Sequence, residues 1–192
     1  MADRPDLSLL RRPRGGWRCL IADPPWRFDN TRTRAAAERH YPTLSPGEIA
    51  CLPVGELAAR DAVLALWVPD TFLLQALVAA RAWGFAYRHL VVWGKVGASG
   101  RIQVGLGNYC RKAHEVALLC TRGRPERLDR GVPSLILRPR GQHSSKPVVL
   151  HDMLERYCVG PRLELFGRAA RAGWTVWGAE APASPPPRGS PP

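Results

Sequence analysis

The sequence predicts an α/β fold, a mostly parallel sheet with helices on both faces. Three observations carry that expectation. Residues 17–22, apolar except for Arg18, and the continuous apolar run 62–68 have strand length, and each is stopped by proline. Neither run alternates with polar residues, so both faces of each strand should be buried between helix layers. Between the second run and a third at 87–93, apolar residues recur at helical spacing, which gives the strand–helix–strand alternation of a parallel sheet.

Taken in order, residues 1–16 hold Arg4, Arg11, Arg12 and Arg14 with two prolines and no periodicity, and read as a basic flexible arm. Strand 17–22 follows. Beyond Trp26, residues 27–39 are polar and rich in arginine and alanine, a loop. Ser45-x-x-Glu48 with Pro46 at the first helical position is a capping box, so a short helix starts there. After strand 62–68, Asp70 is placed to cap a helix running to about Trp83, with Phe72, Leu73, Ala76, Leu77 and Ala80 on its apolar face and Gly84 as its stop. Residues 87–93 form the third strand, and the glycine-rich stretch 94–108 reads as a lid loop.

A strand at 116–120 leads into a basic, proline-broken connection, 121–140, with one short strand at 134–137. This connection is the expected phosphate-contacting surface. A helix opening near residues 141–147 should run to about Cys158, with Leu150, Met153, Leu154 and Tyr157 inward. Residues 163–168 form a strand ending in a glycine turn, and 173–178 close the sheet. The tail 181–192 is proline-rich and expected to be disordered. The domain is therefore placed at 17–180.

The chain has 192 residues, 45% of them hydrophobic, enough for one domain with a sizeable core. Lys plus Arg total 28 against 16 Asp plus Glu, a formal charge of +12, and only Lys95, Lys112 and Lys146 are lysines. Such a balance suits a polyanionic partner or, equally, solvated basic faces. The five cysteines form no C-x-x-C pair, which favours free thiols in a reducing compartment over a disulfide scaffold or a zinc site. No apolar stretch reaches membrane-spanning length and the N-terminus has no apolar signal core, so the expectation is a soluble, cytoplasmic protein with no membrane partner and no metal.

The chemistry concentrates at Asp23-Pro24-Pro25-Trp26. Two prolines fix φ and lack N–H groups, so they end the strand and hold Asp23 at its carboxyl end, where ligands of open α/β sheets bind. Asp23 and the proline carbonyls can accept hydrogens from an exocyclic amine while Trp26 offers a flat apolar face. Further along, Lys95 at a strand end is either a phosphate or base contact or a solvated lysine. His114-Glu115 at a strand start either orients a cofactor carboxylate or a methyl-acceptor base, or is a surface pair.

Asp-Pro-Pro-Trp resembles the motif of the amino-group methyltransferases acting on adenine, in the form typical of the eukaryotic mRNA N6-adenosine methyltransferase and its bacterial and phage relatives. The later segments agree in order: Tyr41-Pro42-Thr43, Trp93-x-Lys95, the glycine-aromatic segment through Arg111 to His114-Glu115, Lys146-Pro147, Glu164-Leu165-Phe166-Gly167-Arg168 and Gly173-Trp174-x-x-Trp177-Gly178. The resemblance covers about residues 17–180. It implies a Rossmann-like, S-adenosylmethionine-dependent methyltransferase fold with a permuted motif order, the target-amine half before the cofactor half. It implies transfer of a methyl group to the 6-amino group of adenine in DNA or RNA, with Asp23, Pro24, Pro25 and Trp26 catalytic. By the same resemblance Asp23, His114, Lys146, Glu164, Phe166, Gly167 and Arg168 hold S-adenosylmethionine, while Trp26, Tyr41, Lys95 and Arg111 face the substrate. Tyr41 alternatively packs on the helix it precedes. The chain departs from the family pattern at Ala170, Thr175 and Ala179-Glu180, which keeps a catalytically weak or inactive nucleic-acid-binding relative, or a cytosine amino-methyltransferase, as alternatives. Specificity is left to loops, a partner subunit or a homodimer mate.

Overall fold

The computed structural model describes residues 5–28, 43–107, 109–139 and 148–178. Seven strands form one sheet: β1 (Trp17–Ala22), β2 (Ala58–Val68), β3 (Ala86–Val96), β4 (His114–Arg122), β5 (Leu135–Pro139), β6 (Arg162–Leu165) and β7 (Trp174–Trp177). Their order across the sheet is β5-β3-β4-β2-β1-β6-β7. Only β4 runs against its neighbours β2 and β3; every other pairing is parallel. The carboxyl ends of the other six strands therefore meet at one edge, and β4 starts there.

Successive side chains of a strand point to opposite faces, and the core divides accordingly. On one face Leu20, Ala22, Leu64, Leu66, Leu163 and Leu165 pack against the helices α1 (Pro46–Ala50), α2 (Val54–Leu57) and α3 (Leu73–Ala82). On the other, Cys19, Ile21, Val63, Ala65, Trp67 and Trp93 pack against Leu150, Met153 and Leu154 of α4 (Val149–Tyr157). The expected two-layer cover of a mostly parallel sheet is present. Both helix layers bury apolar strand side chains, each worth about 1.5–3 kcal/mol when fully removed from water.

Local chemistry explains where elements begin and end. The capping box at α1 is complete: Ser45 Oγ accepts from the Glu48 N–H, and Glu48 accepts from the Ser45 N–H at 2.8 Å. The helix expected from Asp70 begins instead with a 3-10 turn, Asp70–Phe72, and becomes α-helical only at Leu73. Pro69 occupies the cap position and provides no side-chain acceptor, while the Asp70 carboxylate turns to Lys112 on the chain entering β4. Gly84 closes the helix at φ +82°, as its lack of a side chain allows.

β5 lies two residues later at its end than the sequence suggested and finishes on Pro139. As an edge strand, β5 has an outer side where a missing N–H breaks no ladder. The expected lid 94–108 is partly ordered as a return: β3 continues to Val96, which bridges Ile102, and Gln103 N–H donates to the Lys95 carbonyl at 2.8 Å. α4 begins at Val149; the part of its expected start at 141–147 lies outside the described residues. All five cysteines are free, Cys19, Cys120 and Cys158 buried and Cys51 and Cys110 exposed. Burial pushes the Cys120 thiol up to about 12. No helix among the described residues is long and apolar enough to cross a membrane.

α4 is fastened to the β7 edge by two carboxylates. Asp152 accepts from Arg171 Nη2 at 2.6 Å. Glu155 accepts from Arg171 Nε at 2.9 Å and from the Trp174 indole N–H at 2.7 Å. The Arg171 hydrogen bond, followed by that of Trp174, holds the Glu155 carboxyl below its ordinary value of 4.5. A lowered folded-state pKa contributes stability above the unfolded value and loses it as pH falls through the folded one. Glu155→Gln should therefore be less stable than the parent at neutral pH, with the difference closing below about pH 4.5. Denaturant midpoints measured across pH check this; a difference independent of pH would refute the role of the charge.

Candidate active site

The edge formed by the strand carboxyl ends carries the Asp-Pro-Pro-Trp turn. β1 pairs Ala22 with Leu66 of β2 and Leu165 of β6, so the residue after it emerges between two parallel neighbours. The Asp23 N–H still donates to the Leu165 carbonyl at 3.3 Å, which fixes where the half-buried Asp23 leaves the sheet. Pro24 and Pro25 cannot continue the ladder, and their carbonyls are engaged. That of Pro24 accepts from the Trp26 N–H at 2.9 Å, and that of Pro25 from the Leu44 N–H at 2.8 Å. A carbonyl has two lone pairs, so Pro24 keeps capacity for a second donor.

Trp26 differs from expectation. Its indole does not offer an open face: it is 5% exposed, stacks on Phe72 at 5.3 Å with 16° between planes, and donates its N–H to the Trp67 carbonyl at 3.2 Å. The apolar side chain gains more from the core than from solvent, and the carbonyl of Trp67 satisfies its polar atom. Trp26 thus anchors the turn. Phe28, 47% exposed, leans on the same Phe72 ring at 4.9 Å and is the aromatic of this cluster that faces outward. Arg27 adds a second brace, donating to the Thr43 carbonyl at 2.8 Å and pairing with Glu48 at 3.2 Å, so the α1 capping box also holds the turn.

Beside this turn, β6 ends in Phe166-Gly167-Arg168. Phe166 is the one non-glycine residue with positive φ among the described residues, +66°, a conformation that side chains avoid without surrounding support. Its ring meets Trp177 edge-on at 5.5 Å. Gly167 is required by its own neighbours: a Cβ there would lie 2.4 Å from Val176 Cγ1 and 2.9 Å from the Glu164 carboxyl carbon. Glu164 itself sits beneath the turn, 17% exposed, with its carboxylate 2.9 Å from His151 Nε2 of α4. Arg168 is exposed.

On the β2–β4–β3 side of the same edge, Asp70 lies 3.2 Å from Lys112 Nζ and 3.9 Å from His114 Nε2, whose side chain is 47% exposed. Lys95 is not a free cation. It is 14% exposed, bound to Glu115 at 2.7 Å and set over the Trp93 ring at 5.3 Å. Arg111 is exposed and donates to the Gly105 carbonyl at 3.3 Å. Tyr41 and Lys146 lie outside the described residues. The expected basic surface at 121–140 is divided by the antiparallel course of β4. Arg138 reaches the Asp23 edge, whereas Arg122 ends β4 at the opposite one and Arg127 bridges Cys158, just before β6 begins. Reading the sequence missed Asp70, Phe72 and His151. Asp70 reads as a helix cap and Phe72 as part of a helix face, while His151 falls inside a helix with no role of its own; only the sheet order brings them to these partners.

A mostly parallel sheet covered on both faces, with an acid-and-proline corner and a tight glycine turn side by side at its carboxyl edge, is an α/β fold of the Rossmann-like class. The chain belongs to the MT-A70 family, whose pattern matches residues 17–180. It is 28% identical to the type II methyltransferase M.MunI of a Mycoplasma species, covering 88% of this chain and 80% of that protein. It is 27% identical to the N6-methyladenosine RNA methyltransferase MTA1 of Cryphonectria parasitica, over 84% of this chain and 50% of the relative. It is also 27% identical to the mouse N(6)-adenine-specific methyltransferase METTL4, over 84% of this chain and 36% of the relative. The chain thus spans most of the first relative but half or less of the other two.

Because Trp26 fills core space and ties two elements together, Trp26→Ala should cost about 3–5 kcal/mol of stability, as large aromatic truncations do. Chemical denaturation checks this; a loss below about 1 kcal/mol would contradict the anchoring role.

Proposed function

We propose that this chain is an S-adenosylmethionine-dependent methyltransferase acting on the 6-amino group of adenine in nucleic acid. The observation that carries the reading is the braced Asp23-Pro24 corner standing directly beside the Phe166–Arg168 turn, in a member of the MT-A70 family. The names of three relatives, two acting on adenine or adenosine N6 and one a type II methyltransferase, support it.

The donor set at the edge fits the cofactor. A half-buried carboxylate, Asp23, and two half-buried aromatic side chains, Phe166 and Trp177, suit a cationic sulfonium joined to an adenosyl group. Phe166, Gly167 and Arg168 would hold it along the end of β6. Glu164 would support that turn from below through His151, and His114 would approach from β4. When bound, the cofactor supplies an electrophilic methyl group.

The amine of adenine is a poor nucleophile because its lone pair is delocalised into the ring. Asp23 and the second lone pair of the Pro24 carbonyl accept its two hydrogens and draw the nitrogen toward pyramidal geometry. Their fixed position means that little reorganisation accompanies reaction, which is where rate arises. Phe28, rather than the buried Trp26, presents the open aromatic face next to the corner. Lys95, Arg111 and Tyr41 belong to the substrate side, with Lys95 released from Glu115 when a phosphate competes for it. Lys146 belongs to the cofactor side. A base within a duplex is flipped out before it reaches the corner. Free thiols fit a reducing, cytoplasmic setting.

Asp23→Asn keeps the shape of the side chain while removing its charge. It should lower methyl transfer to adenine-containing oligonucleotides by about 100-fold or more with an unchanged melting temperature. Turnover within a factor of a few of the parent would defeat the assignment of Asp23.

A further inference from the structure

Two open clefts lie at the edge of the sheet opposite the Asp23 corner. One, about 640 Å³, is lined by Arg12, Arg60 and Arg122 with Glu56; the other, about 390 Å³, by Arg14, Arg18 and Arg60 with Asp61. Arg60 belongs to both, so the clefts form one surface. Register explains why they meet. β1 starts beside Ala58 and β4 ends opposite Ala62, both in β2, so the arginines on the flanks of β1, β2 and β4 meet at this edge.

Five arginines therefore face two acids. One of those acids, Asp61, already accepts from the Arg124 N–H at 2.7 Å. Arg122 is held by the Gly55 carbonyl at 2.6 Å and Arg12 by the carbonyls of Leu57 and Ala58 at 3.4 Å, which fixes two guanidinium groups in the wall. Arg14, Arg18 and Arg60 are exposed and form no ion pair among the described residues. The aromatic side chain lining the surface, Trp83, is buried and gives its N–H to the Ile49 carbonyl, so the described residues of the cleft offer no stacking platform for a base. Rigid planar forks without a stacking partner suit phosphate oxygens and not base edges.

We propose that this arginine cleft is a second nucleic-acid contact, which grips the phosphodiester backbone of the strand whose adenine sits at the Asp23 corner, independently of sequence. The inference rests on the nucleic-acid substrate proposed above. The six residues of β1 separate the two edges by about 20 Å, which is about six duplex steps of 3.4 Å. A short oligonucleotide at the corner does not reach the cleft; a long one running along the strand direction does.

The test compares the parent with the Arg18→Ser/Arg60→Ser double variant, neither residue belonging to the corner. Binding is titrated against salt using fluorescent DNA duplexes and RNA single strands of about 6 and about 30 nucleotides, each with the target adenine at its centre, so that an arm spans roughly 10 and 50 Å in duplex form. Methylation is followed on both lengths. The expected result is a salt slope on the long probe lower by up to about 1.8 for duplex, or about 1.4 for single strands, with short-probe methylation unchanged. An unchanged slope on a long probe that is still methylated overturns the cleft and leaves the proposed activity standing. If the parent methylates neither DNA nor RNA, the substrate reading falls; an unaltered slope in that case removes the cleft as well. Arg60→Lys, which keeps the charge, should retain most of the parental slope.

Discussion

Two adjacent prolines have no N–H to give a sheet, and this constraint governs the site. β1 is buried on both faces and must stop where the prolines begin, so the chain leaves the sheet at one fixed point between β2 and β6. A bare proline turn would leave that exit loose. The Trp26 indole closes it by filling core space against Phe72 and tying its N–H to β2, while Leu44 pairs with the turn through the Pro25 carbonyl and the Arg27 N–H. Asp23 inherits its rigidity from these contacts. The large apolar residue of the motif thus acts through the backbone of the small polar one.

The same economy shapes the neighbouring turn. Phe166 is held at positive φ because Gly167 must pass within contact of Val176 and Glu164 as β6 and β7 end together. Glu164 is in turn fixed by His151 from the opposite helix layer. The corner leans on the α1–α3 layer through Trp26, and the glycine turn touches both layers: Phe166 and Trp177 pack on the α1–α3 side, while Val176 and Glu164 face α4. A site between them is sensitive to the packing of both layers.

Much of this was legible in the sequence because it depends on local chemistry. The apolar run before Asp23, the Ser45–Glu48 capping box and the stop at Gly84 are short-range features with physical causes close at hand. What could not be read is pairing. Trp26 looks like an exposed platform until Phe72 and Trp67 are brought beside it from 41 or more residues away. Lys95 looks free until β4 delivers Glu115. The basic connection looks like one surface until the reversed direction of β4 sends Arg122 and Arg138 to opposite edges. Asp70 has the spacing of a helix cap, yet Pro69 takes that position and the carboxylate answers Lys112 and His114 instead.

The central claim is that a fixed acceptor pair at the end of β1 selects an exocyclic amine on a purine. The most direct measurement is the identity of the product. The protein is incubated with isotope-labelled S-adenosylmethionine and mixed-sequence DNA and RNA, the nucleic acid is digested to nucleosides, and the labelled species is identified by mass spectrometry. The account requires the label on the N6 position of adenine. Label on cytosine, or on a ring nitrogen of any base, would contradict it.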